Sequence, residues 1–237
     1  MNMQKMMAQA QRMQREFQKA LKELEEKEFT FSKGGAVTVK MYGSGQVISV
    51  NIEEDAFEKE NETLTNVDVS FIGDSLTDMC QLSTYYPEYK TANRGIGGDT
   101  TFGLEARLKQ SAYDLNPKVI VMLIGVNNIT TMLQNYEDIV IKLKTNLPNT
   151  KIILCSLTPM RDGWSWNTPY ALDNNIVIKY IAQRQGCTFV DLFSALKESS
   201  TNNIVAEFTT DGGHFTHAGY IVISNTLKPV INELLNK

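Results

Sequence analysis

The run Val67-Asp68-Val69-Ser70-Phe71-Ile72-Gly73-Asp74-Ser75-Leu76-Thr77 changes grammar at its middle: a β-rich apolar segment passes through Gly-Asp-Ser into a helical start. Outward from it the same alternation repeats. Lys118 to Ile124, Lys151 to Leu157 and Cys187 to Leu192 are, like Val67 to Ile72, near-continuous apolar segments, and a further strand is expected near Thr91. Such continuity marks strands covered on both faces. Between them Leu104, Leu108, Ala112 and Leu115, and again Ile139, Val140, Leu143 and Leu147, recur at helical spacing. Strands alternating with amphipathic helices over residues 67–237 predict an α/β fold, a parallel doubly wound sheet with helices on both faces. In such sheets the ligand site lies just beyond the carboxyl ends of the strands.

Those ends carry Gly73-Asp74-Ser75-Leu76-Thr77, then Asn93-Arg94-Gly95-Ile96-Gly97-Gly98-Asp99-Thr100, then Gly125-Val126-Asn127-Asn128, and near the C-terminus Asp211-Gly212-Gly213-His214. A serine at a strand-to-helix turn is an exposed hydroxyl that needs a base to become nucleophilic. The chain has two histidines, His214 and His217, so any histidine-dependent chemistry happens at one place. Asp211 precedes His214 by three residues through a Gly-Gly turn, close enough to orient the imidazole and stabilise its protonated form. Backbone N–H groups at Ser75 and Gly98 and the Asn127 amide are candidate oxyanion donors.

Other uses of these residues have less behind them. Gly95 to Gly98 lacks the full dinucleotide fingerprint and the P-loop lysine. His217 could share a metal with His214 and Asp211, but no further ligand cluster is visible, so neither metal nor organic cofactor is expected. Trp164 and Trp166, the only tryptophans, follow a strand in Thr158 to Trp166; they are candidates for lining a substrate pocket, with capping of the sheet edge as the alternative. Arg161 in the same loop is a candidate for binding an acid or is simply solvated.

Gly73-Asp74-Ser75-Leu76, Gly98, Asn127 and Asp211-x-x-His214, in this order, resemble the four sequence blocks of the SGNH (GDSL) hydrolase family, over about residues 64–237. The resemblance implies a three-layer α/β/α, flavodoxin-like parallel sheet. It also implies a lipase-like serine esterase that hydrolyses an acyl ester, such as an acetyl ester or a lysophospholipid, through an acyl-enzyme. Carried over, Ser75 is the nucleophile, His214 the base, Asp211 its orienting carboxylate, and Gly98 and Asn127 oxyanion donors beside the Ser75 amide. The family usually has Asp after the oxyanion Asn; this chain has Asn128.

Residues 1–58 read differently. Met3, Met6, Ala10, Met13, Phe17, Ala20 and Leu24 step three and four residues apart, the seam of a helix over 1–28 that pairs with another surface. Its first 22 residues are net +4 and its end is acidic; Gly34 and Gly35 then break the chain. Ala36 to Tyr42 and Gln46 to Ile52, separated by Gly43-Ser44-Gly45, predict a β-hairpin. A helix and a hairpin bury too little to stand alone, so a partner surface is expected. The basic Met/Gln-rich helix, Gly34 to Val39 and Val47 to Ile52 resemble the first half of the YbaB/EbfC family of nucleoid-associated proteins, which implies a homodimer that binds DNA. Family members continue into a helix that completes the fold, whereas this chain runs through an acidic linker, 59–66, into a new strand. That departure counts against DNA binding; the basic heptad helix nonetheless makes a DNA-binding or scaffolding protein whose hydrolase domain is secondary the alternative to the esterase.

Over all 237 residues the formal charge is −4, with 42% hydrophobic residues, which excludes a bulk polycation but not local anion binding. Cys80, Cys155 and Cys187 are odd in number and widely spaced, against a disulfide framework or zinc knuckle. Polar residues interrupt every apolar run near the start and no segment reaches membrane-spanning length, so a cytoplasmic protein without a membrane span is expected.

Overall fold

A computed structural model describes residues 3–33, 37–52 and 65–236. The chain divides into two compact units, Met1–Thr63 and Leu64–Lys237. The expected break at Gly34 and Gly35 and most of the acidic linker (residues 59–64) lie outside the described residues.

The first unit is helix α1 (Met3–Glu26) and a three-stranded antiparallel sheet, β1 (Glu28–Lys33), β2 (Val37–Tyr42) and β3 (Val47–Ile52). The hairpin of β2 and β3 is present, closed by Gly45 N–H to the Tyr42 carbonyl at 2.9 Å. It gains a third strand, and the helix ends at Glu26 rather than 28. Phe29 and Phe31 alternate with Thr30 and Ser32, a period-two pattern just past the expected helix, in a stretch to which the sequence reading assigned no element. In the sheet, Phe31 stands opposite Val39, and Val39 opposite Val50.

The second unit holds five parallel strands in the order β5-β4-β6-β7-β8: β4 (Val69–Gly73), β5 (Thr91–Gly95), β6 (Val119–Leu123), β7 (Lys151–Cys155) and β8 (Thr188–Val190). Successive residues of the central strands enter opposite cores. Ile72, Ile120, Met122, Ile152 and Leu154 pack with Leu104, Leu108, Ile139, Leu143 and Ile178 on one face. Phe71, Val119, Val121 and Ile153 pack with Tyr86, Leu192, Tyr220, Ile223 and Leu227 on the other. The result is three layers, as the apolar continuity of the strands requires. Because β5 is added on one side of β4 and β6 on the other, the topological switch point falls at the end of β4, where Gly73-Asp74-Ser75 leaves the sheet. Among the described residues no helix is long and apolar enough to cross a membrane.

Candidate active site

Strand β4 stops at a residue that only glycine can fill. A Cβ on Gly73 would lie 2.1 Å from the Leu123 carbonyl and 2.3 Å from Thr77 Oγ1, so β6 and the turning chain close directly on its backbone. The next residue, Asp74, caps the short helix Ser75–Asp78, its carboxylate accepting from the Leu76 N–H at 3.1 Å. Asp74 is 1% exposed and its second oxygen, Oδ2, has no partner. Burial pushes its pKa up to about 7, against the lowering effect of the Leu76 and Gly125 N–H groups. Sequence reasoning assigned Asp74 no role; its Gly-Asp-Ser position was the available signal. Ser75 follows at the first helical position, where a backbone N–H has no intrahelical acceptor.

Ser75 Oγ lies 3.0 Å from His214 Nε2, and His214 Nδ1 lies 2.8 Å from Asp211 Oδ2. The spacing of three residues is explained by the turn itself. Asp211 Oδ1 accepts the N–H of Gly213 at 3.0 Å and of His214 at 2.8 Å, folding the chain so that the other oxygen meets the ring. Partial burial works against ionisation of Asp211, but the His214 N–H, the imidazole and the Gly213 N–H overcome it and hold the carboxyl at about 2. Asp211 therefore stays an acceptor across the working range, which keeps a proton on Nδ1 and leaves Nε2 to face the serine. His217 is elsewhere engaged, its Nδ1 2.8 Å from the Tyr85 hydroxyl. Among the described residues no group of three His, Cys, Asp or Glu is arranged to hold a metal ion.

The loops after β5 and β6 approach the same point. Gly98 has φ +76°, a left-handed conformation, and a Cβ there would meet nothing within 4 Å: this backbone faces open space. Asn127 Nδ2 donates to the Asp99 carbonyl at 2.8 Å, joining the two loops. Where the resemblance called for Asp, Asn128 uses both ends of its amide. Its Oδ1 accepts the Thr101 N–H at 3.2 Å while its Nδ2 donates to Thr101 Oγ1 at 2.9 Å.

Ser75, Asn127 and His214 line an open pocket, whose apolar wall is Leu76, Val126, Met160 and Trp164. Trp164 meets the His214 ring edge-on, centroids 5.9 Å apart, and packs against Gly213. Trp166 does not line this pocket: it is 60% exposed and packs on Tyr170. The segment Asp162–Asn167 is a 3₁₀ turn, and at three residues per turn positions two apart point to different sides. Arg161 turns away as well, toward Glu198 and the Ile204 carbonyl.

Residues 71–222 match the GDSL-like lipase/acylhydrolase family, and residues 1–81 match the YbaB/EbfC DNA-binding family. A nucleoid-associated protein of Clostridium novyi is 40% identical over 94 residues, 39% of this chain and 76% of that one. An acetylxylan esterase of Geobacillus stearothermophilus is 23% identical over 194 residues, 65% of this chain and 89% of that one. Among solved structures, a candidate acylhydrolase of Bacteroides fragilis superposes with a TM-score of 0.66 at 25% identity, covering 77% of this chain and 97% of the other. From the strand that ends at Gly73 to the helix beyond His214 the chain belongs to the GDSL-like lipase/acylhydrolase family, joined to an N-terminal segment of the YbaB/EbfC DNA-binding family.

Proposed function

We propose that the protein is a serine esterase that hydrolyses small acyl esters, acetyl esters foremost. The observation that carries this is the hydrogen-bonded line from Ser75 through His214 to Asp211, opening on a pocket. Ser75 Oγ attacks the ester carbonyl as His214 Nε2 takes its proton. The carbonyl oxygen, now an oxyanion, is met by the Ser75 and Gly98 N–H groups and the Asn127 amide. Asp211 stabilises the imidazolium, which returns its proton to the leaving alkoxide; water then enters by the same base and releases the acid from Ser75. Support for a short acyl group comes from the named activity of the Geobacillus relative. The test is p-nitrophenyl acetate turnover by wild type and Ser75→Ala, with intact-mass detection of a fluorophosphonate adduct. Equal turnover, or an adduct at another residue, rejects the assignment.

A second reading concerns the N-terminal unit. Met13, Phe17, Leu21 and Leu24 on α1, and Phe31 and Val50 on the sheet, are all exposed. Such an apolar display, with the YbaB/EbfC match, favours a homodimer through this unit, and the basic start of α1 favours contact with DNA. Sedimentation of the full chain tests the first; a gel shift across salt concentrations tests the second, since phosphate contacts weaken steeply with salt.

A further inference from the structure

We propose that Arg107 is a positioning residue that holds the oxyanion donors in register, an inference that rests on the ester-hydrolase reading above. Arg107 caps the C-terminal end of the helix Thr101–Ala106 and belongs to none of the four sequence blocks. Its guanidinium has five N–H groups, and five contacts are present. Nε donates to Asp99 Oδ2 at 2.8 Å, Nη1 to the Arg94 carbonyl at 2.8 Å and to Ser111 Oγ at 2.7 Å. Nη2 donates to the Gly73 carbonyl at 3.0 Å and meets Asp99 Oδ2 at 2.6 Å. Both side chains of the ion pair are largely buried, 17% and 10% exposed, so water competes little for these contacts.

The acceptors are the parts of the site. Gly73 ends the strand that delivers Ser75, Arg94 lies in the strand that leads to Gly98, and Asp99 is the residue after Gly98. The Asp99 carbonyl also takes one N–H of the Asn127 amide, which leaves the second for a ligand. Two of the three candidate donors are thus referred to Asp99, and Arg107 refers Asp99 to the strand behind Ser75. Preorganised donors act mainly in the transition state, where a displacement of about 1 Å costs about 10²-fold. A lysine would keep the charge and lose the planar fork that reaches three chain segments at once.

The experiment uses the full chain carrying Arg107→Lys or Asp99→Asn, with active sites counted by fluorophosphonate titration. Steady-state turnover of p-nitrophenyl acetate and inhibition by phenylboronic acid, which adds to the serine as a tetrahedral mimic, are then measured. Expected is a loss in kcat per titrated site of about 10²-fold for Arg107→Lys and about 10-fold for Asp99→Asn, with KM within about twofold and boronate affinity falling in parallel with kcat/KM. An anchor that only supports the fold would lower the number of active sites and leave kcat per site and boronate affinity unchanged; that result overturns the proposal. So does a rise in KM at constant kcat. If Arg107→Lys does not accumulate as folded protein, Asp99→Asn decides by the same criteria. Wild-type turnover with unaffected variants overturns the clamp alone, whereas absence of wild-type turnover overturns the ester-hydrolase reading and the clamp with it.

Discussion

The two units of this chain treat their apolar side chains in opposite ways. In the C-terminal unit Ile72, Ile120 and Ile153 are fully buried between sheet and helices. In the N-terminal unit Phe17 is 68% and Phe31 57% exposed. The C-terminal unit has two covering layers for one sheet and closes its own cores; the N-terminal unit has one helix and three strands, below the size at which a chain of this kind is self-sufficient. Function differs accordingly. In the hydrolase unit the proposed function rests on one hydrogen-bonded line through Ser75 Oγ, so single substitutions there are expected to act through orders of magnitude. In the N-terminal unit the proposed function is a surface, and a single substitution there is expected to change association.

That contrast can be broken most directly at Ser75. Ser75→Ala should lower kcat/KM for p-nitrophenyl acetate by at least about 10⁴-fold in a steady-state assay, with the N-terminal unit untouched. Asp211→Asn should follow, with a loss of about 10² to 10⁴-fold, because an amide can present N–H to the ring and stabilise the wrong tautomer. Asn127→Ala should cost about 10²-fold in kcat with fluorophosphonate still directed to Ser75, as expected for one lost oxyanion donor. Phe17→Asp should shift the sedimenting species from dimer to monomer while kcat per site stays within about twofold; a parallel fall in kcat would mean that the two units do not work separately.

The smallest effect concerns pH. The Asp74 carboxyl is raised from 3.8 to about 7 in the fold, so between those values the folded chain keeps a proton that the unfolded chain has released. The stability this group contributes is complete below its unfolded pKa and is lost as pH rises through about 7. Asp211, held at about 2, has the opposite sign: its contribution is present above 3.8 and is lost as pH falls toward 2. Thermal melts of wild type and Asp74→Asn from about pH 5 to about pH 8 should show wild type losing a few degrees relative to the variant, whose amide keeps the helix cap without titrating. A difference independent of pH would show that Asp74 is ionised throughout.

How far the site could be read from the chain varied with how local its chemistry is. The Asp211 to His214 turn is legible because both partners and the two N–H groups that fold them together lie within four residues. Ser75 is legible because a strand that must be buried on both faces ends two residues before it. Trp164 and Trp166 were indistinguishable, since their difference comes from the pitch of a short 3₁₀ turn. Strand β1 fell between the expected helix and the expected hairpin, where a six-residue run with only two phenylalanines at alternate positions is too short a period-two signal to stand out.

The sequence by itself determined the layered α/β architecture, the order of the four blocks and the pairing of Asp211 with His214, because apolar periodicity and short-range turn chemistry are properties of neighbouring residues. The tertiary structure alone decided what surrounds that pairing. The burial that raises Asp74, the amide of Asn128 on Thr101, and the reach of Arg107 to Gly73, Arg94 and Asp99 join segments distant in the chain. A guanidinium fork reads positions in space, and no local pattern in the chain records which carbonyls the fold will bring to it.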